Sequence, residues 1–334
     1  MVVRPSDPGR GTGRMASARE LYMAAPLNIC VLGGTGFVGS ELVAHWARDG
    51  HWLTLPTRNP AREQDLRLFP TVRLLRADIH DPQVLESLVD GMDVVVNLVG
   101  ILNENGRNTF QKVHADLAAK VVAAMRARQV RRLLHMSALG ADRNGPSRYL
   151  RSKGEAEEHI RAAAEDLDFT LFRPSVIFGP DDSLTNRFAR LLRLSHGWMP
   201  LARSQARFAP IYVGDIVEAF AYALRERATF GETYELGGPQ VVTLEELVRL
   251  CAQVAGLPCH IVRLPDALGR LQAAVLGLLP GKPMTLDNFR SLTRDSVCGT
   301  DGCTQLGLQP HRLLDIMPTY LGTRARPLRF ASYP

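Results

Sequence analysis

The segment Val31-Leu32-Gly33-Gly34-Thr35-Gly36-Phe37-Val38-Gly39 constrains the fold of this chain more than any other. It sets glycines at G-x-x-G-x-x-G spacing between a short apolar run, Asn28 to Leu32, and an amphipathic stretch with Val38, Leu42, Val43 and Trp46 on one face. A strand that turns directly into a helix needs residues without the Cβ restriction on φ, and glycine supplies them. The helix start then offers unbonded N–H groups at the positive end of its dipole, with no side chains to keep an anion away. Placed first in an alternating series of strands and helices, such a loop is a pyrophosphate cradle.

That series is present. Strands are predicted at Trp52 to Pro56, Val72 to Arg76, Val94 to Val99, Arg132 to Met136 and Phe169 to Phe172. The run Val94 to Val99 is too uniformly apolar for anything but a position covered on both faces. Pro82 opens the second helix, where its missing N–H costs nothing, and Val113, Leu117, Val121 and Met125 mark a long third one. Another helix begins near Tyr149. Counting Asn28 to Leu32, these six strands give an α/β fold with a Rossmann doubly wound parallel sheet over residues 27–180.

Residues 181–334 predict a smaller C-terminal α/β lid, irregular at its extreme end, with helices near Thr185 to Leu194, Asp215 to Arg225, Thr243 to Ala255 and Thr285 to Thr293. Thr243-Leu244-Glu245-Glu246 is a capping box. The most apolar stretch, Ala267 to Leu279, is interrupted by Arg270 and Gln272 and is expected to be a packed helix, with a membrane-surface or partner-docking helix as the alternative. Residues 1–26, with four arginines and no apolar core, are not a secretory signal. They are expected to form a disordered extension, with Met15 and Met23 as alternative starts.

The charge of +6 raises nucleic acid as a partner, but the cations are scattered and no aromatic-interleaved basic cluster accompanies them, so no nucleic-acid role is expected. Four of the 40 basic residues are lysines (Lys112, Lys120, Lys153 and Lys282), leaving 36 arginines. The five cysteines lack metal-ligand spacing and are expected to be reduced thiols in a cytoplasmic compartment. No metal site is expected: His45, His51 and His80 have no clustered partners, and His135 is expected in the core or just behind the site rather than as a catalyst.

The glycine loop and its context predict a bound nicotinamide dinucleotide. About 20 residues further on, where NAD sites carry a carboxylate for the ribose hydroxyls, the chain has Thr57-Arg58-Asn59-Pro60-Ala61-Arg62. A guanidinium at Arg58 can pair with a 2′-phosphate through two parallel bonds, which favours NADP(H) over NAD(H). Asp78 can accept from the adenine amino group or cap the helix at Pro82.

Tyr149-Leu150-Arg151-Ser152-Lys153 places a phenol and an ammonium one turn apart on one helix face, where a lysine can lower the phenol's pKa. Together with Asn97-Leu98-Val99-Gly100, Arg173-Pro174-Ser175-Val176-Ile177-Phe178-Gly179-Pro180 and Pro210-Ile211-Tyr212-Val213-Gly214-Asp215-Ile216, these motifs resemble the extended or atypical short-chain dehydrogenases/reductases over roughly residues 27 to 300. Within that superfamily the segment Tyr149 to Glu155 is most similar to the branch holding the nucleotide-binding accessory subunit of respiratory complex I and its bacterial relatives.

The resemblance implies hydride transfer at the nicotinamide with Tyr149 and Lys153 as acid/base pair. It also implies a nucleotide site of Gly33, Thr35, Gly36, Phe37, Val38, Gly39, Arg58, Asp78, Ile79, Asn97, Val99, Gly100, Lys153 and Pro174. The third catalytic position departs from the pattern: active members carry a Ser or Thr after strand five, and here Met136-Ser137-Ala138 offers Ser137 as the nearby hydroxyl. Three readings stay open: an oxidoreductase with an unidentified small-molecule substrate, a nucleotide-stabilised scaffold or assembly factor of a quinone-dependent respiratory complex, and a nucleotide-sugar epimerase or dehydratase. The second brings a respiratory-complex or membrane-surface partner and a place peripheral to the inner membrane. Arg173 is either a substrate-side residue or the partner of a carboxylate, and Asp181-Asp182 is expected in a solvated loop.

Overall fold

The computed structural model describes residues 25–279 and 281–322. Its strands are β1 (Asn28–Leu32), β2 (Trp52–Thr57), β3 (Val72–Arg76), β4 (Val94–Asn97), β5 (Arg132–Met136), β6 (Asp168–Pro174), β7 (Ile177–Phe178), β8 (Trp198–Ala202), β9 (Arg207–Phe208), β10 (Ile211–Tyr212), β11 (Thr233–Leu236), β12 (Val242–Thr243) and β13 (His260–Leu264). Its helices are α1 (Phe37–Arg48), α2 (Pro82–Val89), α3 (Leu117–Ala127), α4 (Arg148–Arg161), α5 (Thr185–Leu194), α6 (Val213–Arg225), α7 (Leu244–Ala255), α8 (Asp266–Leu276), α9 (Leu286–Ser291), α10 (Gly302–Gln305) and α11 (Leu313–Leu321). Most of the expected extension over 1–26 lies outside the described residues.

The central sheet is parallel throughout and runs β11-β6-β5-β4-β1-β2-β3. The chain reverses direction between β1 and β4, so their carboxyl ends open the crevice where such sheets bind ligands. Six of these strands match the sequence expectation. The seventh, β11, comes from the C-terminal half and pairs with β6, so the sheet is seven-stranded, not six-stranded.

Alternation along each strand divides the core between the two faces. Ile29, Val31, Val94, Val96, Leu134 and Phe172 face α1 and α6 and continue without a break into the C-terminal part through Leu192, Leu247 and Met317. Cys30, Leu32, Val95, Leu133 and Leu171 pack on the opposite side under α2, α3 and α4. The capping box at Thr243 is present, with Glu246 Oε2 accepting from the Thr243 N–H at 2.7 Å.

Two local expectations are corrected. Asp182 is buried rather than solvated: its carboxylate caps α5 through the Leu184 and Thr185 N–H groups and receives the Thr185 hydroxyl. The stretch from Ala267 forms α8, but it is not packed through its large side chains. Only Gly269 and Ala273 of α8 are buried, because small residues let the helix lie close on β8 while its leucines point outward. Among the described residues no helix is long and apolar enough to cross a membrane, and no group of His, Cys, Asp and Glu could hold a metal ion.

Candidate nucleotide and acid-base site

The glycine loop occupies the reversal point of the sheet. Gly33 has φ +81°, a backbone state that strains other residues, and a Cβ there would lie 3.1 Å from the Leu98 carbonyl carbon and the Val99 nitrogen of the loop after β4. A Cβ on Gly39 would come within 2.3 Å of the Gly33 carbonyl oxygen, so the first turn of α1 can pack on the loop only as glycine. No side chain caps α1 at Gly36, and no acidic residue sits in its first turn. Thr35, Gly36 and Phe37 instead line an open cleft of about 180 Å³ with Arg62, Glu63 and Asp181 on its far wall. Val38 is buried behind them. The donor set and the Cβ-free approach fit a pyrophosphate.

Arg58 stands exposed just beyond β2, and no hydrogen bond or ion pair holds its guanidinium among the described residues. Asp78 does not cap α2; that role belongs to Asp81, whose carboxylate accepts from Gln83 and Val84 N–H. Asp78 accepts from the His80 N–H at 3.0 Å and is itself exposed, while Ile79 packs partly into the core below α2. Burial and then the positive charge of Lys112 hold the His80 imidazolium down, with Lys120 and Arg58 adding to the effect, so three cations surround this turn. Lys153 lies beside His114, so three of the chain's four lysines stand near these two histidines.

At the other end, Asn97 terminates β4 and its Oδ1 accepts the Val99 N–H at 3.2 Å, which turns the chain toward Gly100. A Cβ on Gly100 would lie 3.4 Å from Lys153 Nζ and 3.7 Å from His114 Nε2, so this backbone, the amine and the imidazole converge. Lys153 Nζ donates to the Met136 carbonyl at 3.0 Å, across the end of β5. Burial lowers the Lys153 ammonium to about 8, against the opposing attraction of Glu157.

Tyr149, one turn earlier on α4, meets His114 edge-on at 5.5 Å between ring centroids and Phe110 at 5.8 Å. Desolvation in this aromatic corner pushes its phenol up to about 12. The lowered tyrosine pKa expected from the neighbouring lysine is therefore not what this environment produces: burial shifts the phenol upward. The C-terminal part touches the same helix start: the Asp287 carboxylate accepts the Arg148 N–H at 2.7 Å and the Tyr149 N–H at 3.1 Å.

His114 is the residue that reading the sequence missed. Gln111–Asp116 winds as a π-helix before α3, and such bulges re-aim side chains. The His114 Nε2 accepts the Ile101 N–H at 3.0 Å, which leaves its proton on Nδ1, 2.8 Å from Ser152 Oγ; that hydroxyl donates in turn to the Tyr149 carbonyl. Burial and then Lys153 hold His114 down to about 2, so it is neutral. A histidine next to Val113 on the helix that also carries Leu117 was the available signal.

Ser137 lies behind this group. Its Oγ donates to Glu157 Oε1 at 2.5 Å, and the same buried carboxylate accepts from Arg173 Nε at 2.8 Å and Nη2 at 2.5 Å. Arg173 thus pairs with a carboxylate and ties β6 to α4. Pro174 is buried, its carbonyl accepting the Leu139 N–H at 2.9 Å. His135 is in the core, as expected, but both of its ring nitrogens are buried without a partner among the described residues.

A family model described as NAD(P)H-binding matches residues 33–190. Ceramide reductase of Caulobacter vibrioides is 30% identical over 259 residues, covering 74% of this chain and 76% of that protein. The chain belongs to the extended short-chain dehydrogenase/reductase family. Another of its relatives is the Arabidopsis thaliana mitochondrial NADH dehydrogenase [ubiquinone] 1 alpha subcomplex subunit 9, 28% identical over 322 residues, which cover 91% of this chain and 78% of that protein. The family fold is shared with the NAD-bound dTDP-glucose 4,6-dehydratase of Streptomyces venezuelae at TM-score 0.68 and 20% identity, over 88% of this chain and 95% of that one. As a short-chain dehydrogenase/reductase, the protein is an NAD(P)-binding, oxidoreductase- or epimerase-like chain.

Proposed function

We propose that the protein is an NADP(H)-dependent reductase in which Tyr149 and Lys153 form the acid/base pair. The observation that carries this reading is the convergence of Lys153 Nζ, Gly100 and His114 at the ends of β4 and β5, one helical turn from Tyr149 and beside the glycine loop. Gly33, Thr35, Gly36, Phe37, Val38 and Gly39 cradle the pyrophosphate. Asp78 and Ile79 border the adenine, Asn97, Val99, Gly100 and Pro174 flank the nicotinamide half, and Arg58 takes the 2′-phosphate. When bound, the nicotinamide supplies the hydride.

The residues of the chain manage the proton. At neutral pH Tyr149 holds its hydroxyl proton and Lys153, near 8, is mostly an ammonium. The pair is then poised to donate to a developing alkoxide, with the ammonium stabilising the phenolate left behind. Ser137, the hydroxyl nearest the usual third position, serves through Glu157, which sets the charge seen by Lys153. The similarity to a ceramide reductase supports a reductive reaction. The free guanidinium of Arg58 supports NADP(H).

The relatives among respiratory NADH dehydrogenase subunits favour a second reading, a nucleotide-stabilised scaffold or assembly factor for such a complex, cytoplasmic and peripheral to the inner membrane. Substrate-dependent NADPH oxidation abolished by Tyr149→Phe supports the reductase. Retained nucleotide, an unchanged Tyr149→Phe phenotype and loss of folding or complex assembly in Gly36→Val support the scaffold. For the cofactor, Arg58→Ala should weaken NADP(H) at least about tenfold more than NAD(H), the worth of one bidentate charge pair; equal losses would refute the assignment.

A further inference from the structure

The amphipathicity of α8 is inverted. Its buried residues are Gly269 and Ala273, Gln272 Nε2 donates to the Pro200 carbonyl of β8, and a Cβ on Gly269 would lie 2.7 Å from Ala202 Cβ and 2.9 Å from Phe289 Cε2, so the helix is pressed closely onto β8 and α9. Its solvent side carries Leu268 at 50% exposure, Leu271 at 60% and Val275 at 53%, and the turn that follows adds Leu278 at 88%. These positions are spaced by three, four and three residues, which makes one continuous stripe. An apolar stripe on a helix already anchored by its opposite face is not needed by the core, and a patch of this kind marks an interaction surface.

The charges around the stripe identify its partner. Arg270 flanks it on α8, and the one carboxylate of the helix, Asp266, is bound by Arg203 at 2.6 Å. Arg187 Nη1 donates to the Pro283 carbonyl at 2.8 Å in the loop beyond α8, and burial and then the neighbouring charge of Arg190 hold its guanidinium down. The rim is therefore cationic, on a chain of net charge +6. A second copy would set cation against cation, whereas an anionic lipid surface accepts both the leucines and the arginines.

We propose that α8 and the turn to Leu278 form a peripheral anchor that lays its leucine stripe into an anionic phospholipid surface. Phe289 of α9 packs beneath α8, and Asp287 of the same helix caps α4 at Tyr149, so the anchor holds the mouth of the cleft toward the bilayer. The anchor does not depend on whether the site turns over a substrate.

Vesicle flotation of the full chain tests this, using phosphatidylcholine vesicles with and without phosphatidylglycerol. Wild type should float with the anionic vesicles, and Leu271→Glu/Val275→Glu should reduce the bound fraction at least about tenfold, with circular dichroism and nucleotide retention unchanged because both side chains lie outside the core. Arg270→Ala should weaken binding to anionic vesicles only. Absence of flotation, or equal flotation of the double variant, overturns the proposal. So does a dimer in light scattering that the double variant splits, which would assign the stripe to a second copy.

Discussion

Replacing His135 with leucine should leave the protein as stable or more stable near neutral pH and should halve a specific part of its acid sensitivity. The ring is 1% exposed and both of its nitrogens lack partners among the described residues. An unsatisfied buried polar group costs about 1–3 kcal/mol, and leucine of similar volume removes that cost while keeping the contacts. Burial holds the native imidazole down to about 3, against 6.5 for the free side chain. A depressed histidine stays neutral in the folded state while the unfolded chain takes up a proton, so stability is lost as pH falls from 6.5 toward 3. One pH unit below 6.5 is worth about 1.4 kcal/mol per histidine. His114, held down to about 2, adds the same amount over this window. Urea unfolding should therefore show wild type losing about 3 kcal/mol between pH 7.5 and 5.5 from these two groups, and His135→Leu about half as much. A variant destabilised by more than about 1 kcal/mol at pH 7.5 that keeps the wild-type acid slope would show that the ring has a partner in solution and that the reasoning is wrong.

Three other outcomes follow from the site. Gly39→Ala should lower the thermal midpoint by about 3–8 °C and weaken nucleotide binding, since its Cβ meets the Gly33 carbonyl; calorimetry with and without nucleotide checks this, and an unchanged midpoint counts against the packing argument. Glu157→Gln should cost about 2–3 kcal/mol in denaturant unfolding, below the range for fully buried pairs because Arg173 is a quarter exposed. Nucleotide affinity measured by fluorescence titration should fall as pH rises through about 8, where Lys153 loses its proton, and the midpoint should move lower in Glu157→Gln because the attraction that raises Lys153 is gone; a profile unchanged from pH 7 to 9 would remove Lys153 from the nucleotide site.

The strands of the Rossmann half were legible because their pattern is local: β1, β3 and β5 fall where the apolar runs predict them. β11 was not legible. Tyr234 and Leu236 alternate as in any short strand, and only the pairing of Thr233 to Leu236 with Leu171 to Pro174, some sixty residues earlier, makes it part of the sheet. The tight turn from β1 into α1 was readable from glycine spacing, since close backbone approach leaves a residue-type signature. The hydrogen-bond wiring of Ser137, His114 and Glu157 was not, because it depends on side-chain directions across three separate elements. Glu157 did leave one trace, four residues after Lys153 on the same helix face. Composition misled for α8, where thirteen mostly apolar residues suggested core, while Gly269 and Ala273, the residues that do pack, carry almost no hydrophobic signal.

The same wiring bears on the chemistry. Three groups compete for the field at the end of β5: Lys153, whose proton is loosened by burial, Tyr149, whose proton is tightened by it, and Glu157, which pulls the lysine back toward its charged form. Without Glu157 the amine would approach neutrality near physiological pH, and a neutral amine cannot stabilise a phenolate. Arg173 and Ser137 take up most of the carboxylate's hydrogen-bonding capacity, leaving its charge to act on Lys153 through space. On the proposed reading, a hydroxyl at the strand end therefore contributes to the proton donor without touching the substrate. The rate of a reductase built this way should respond to Glu157→Gln more strongly at pH 8 than at pH 6, where Lys153 is protonated with or without its carboxylate.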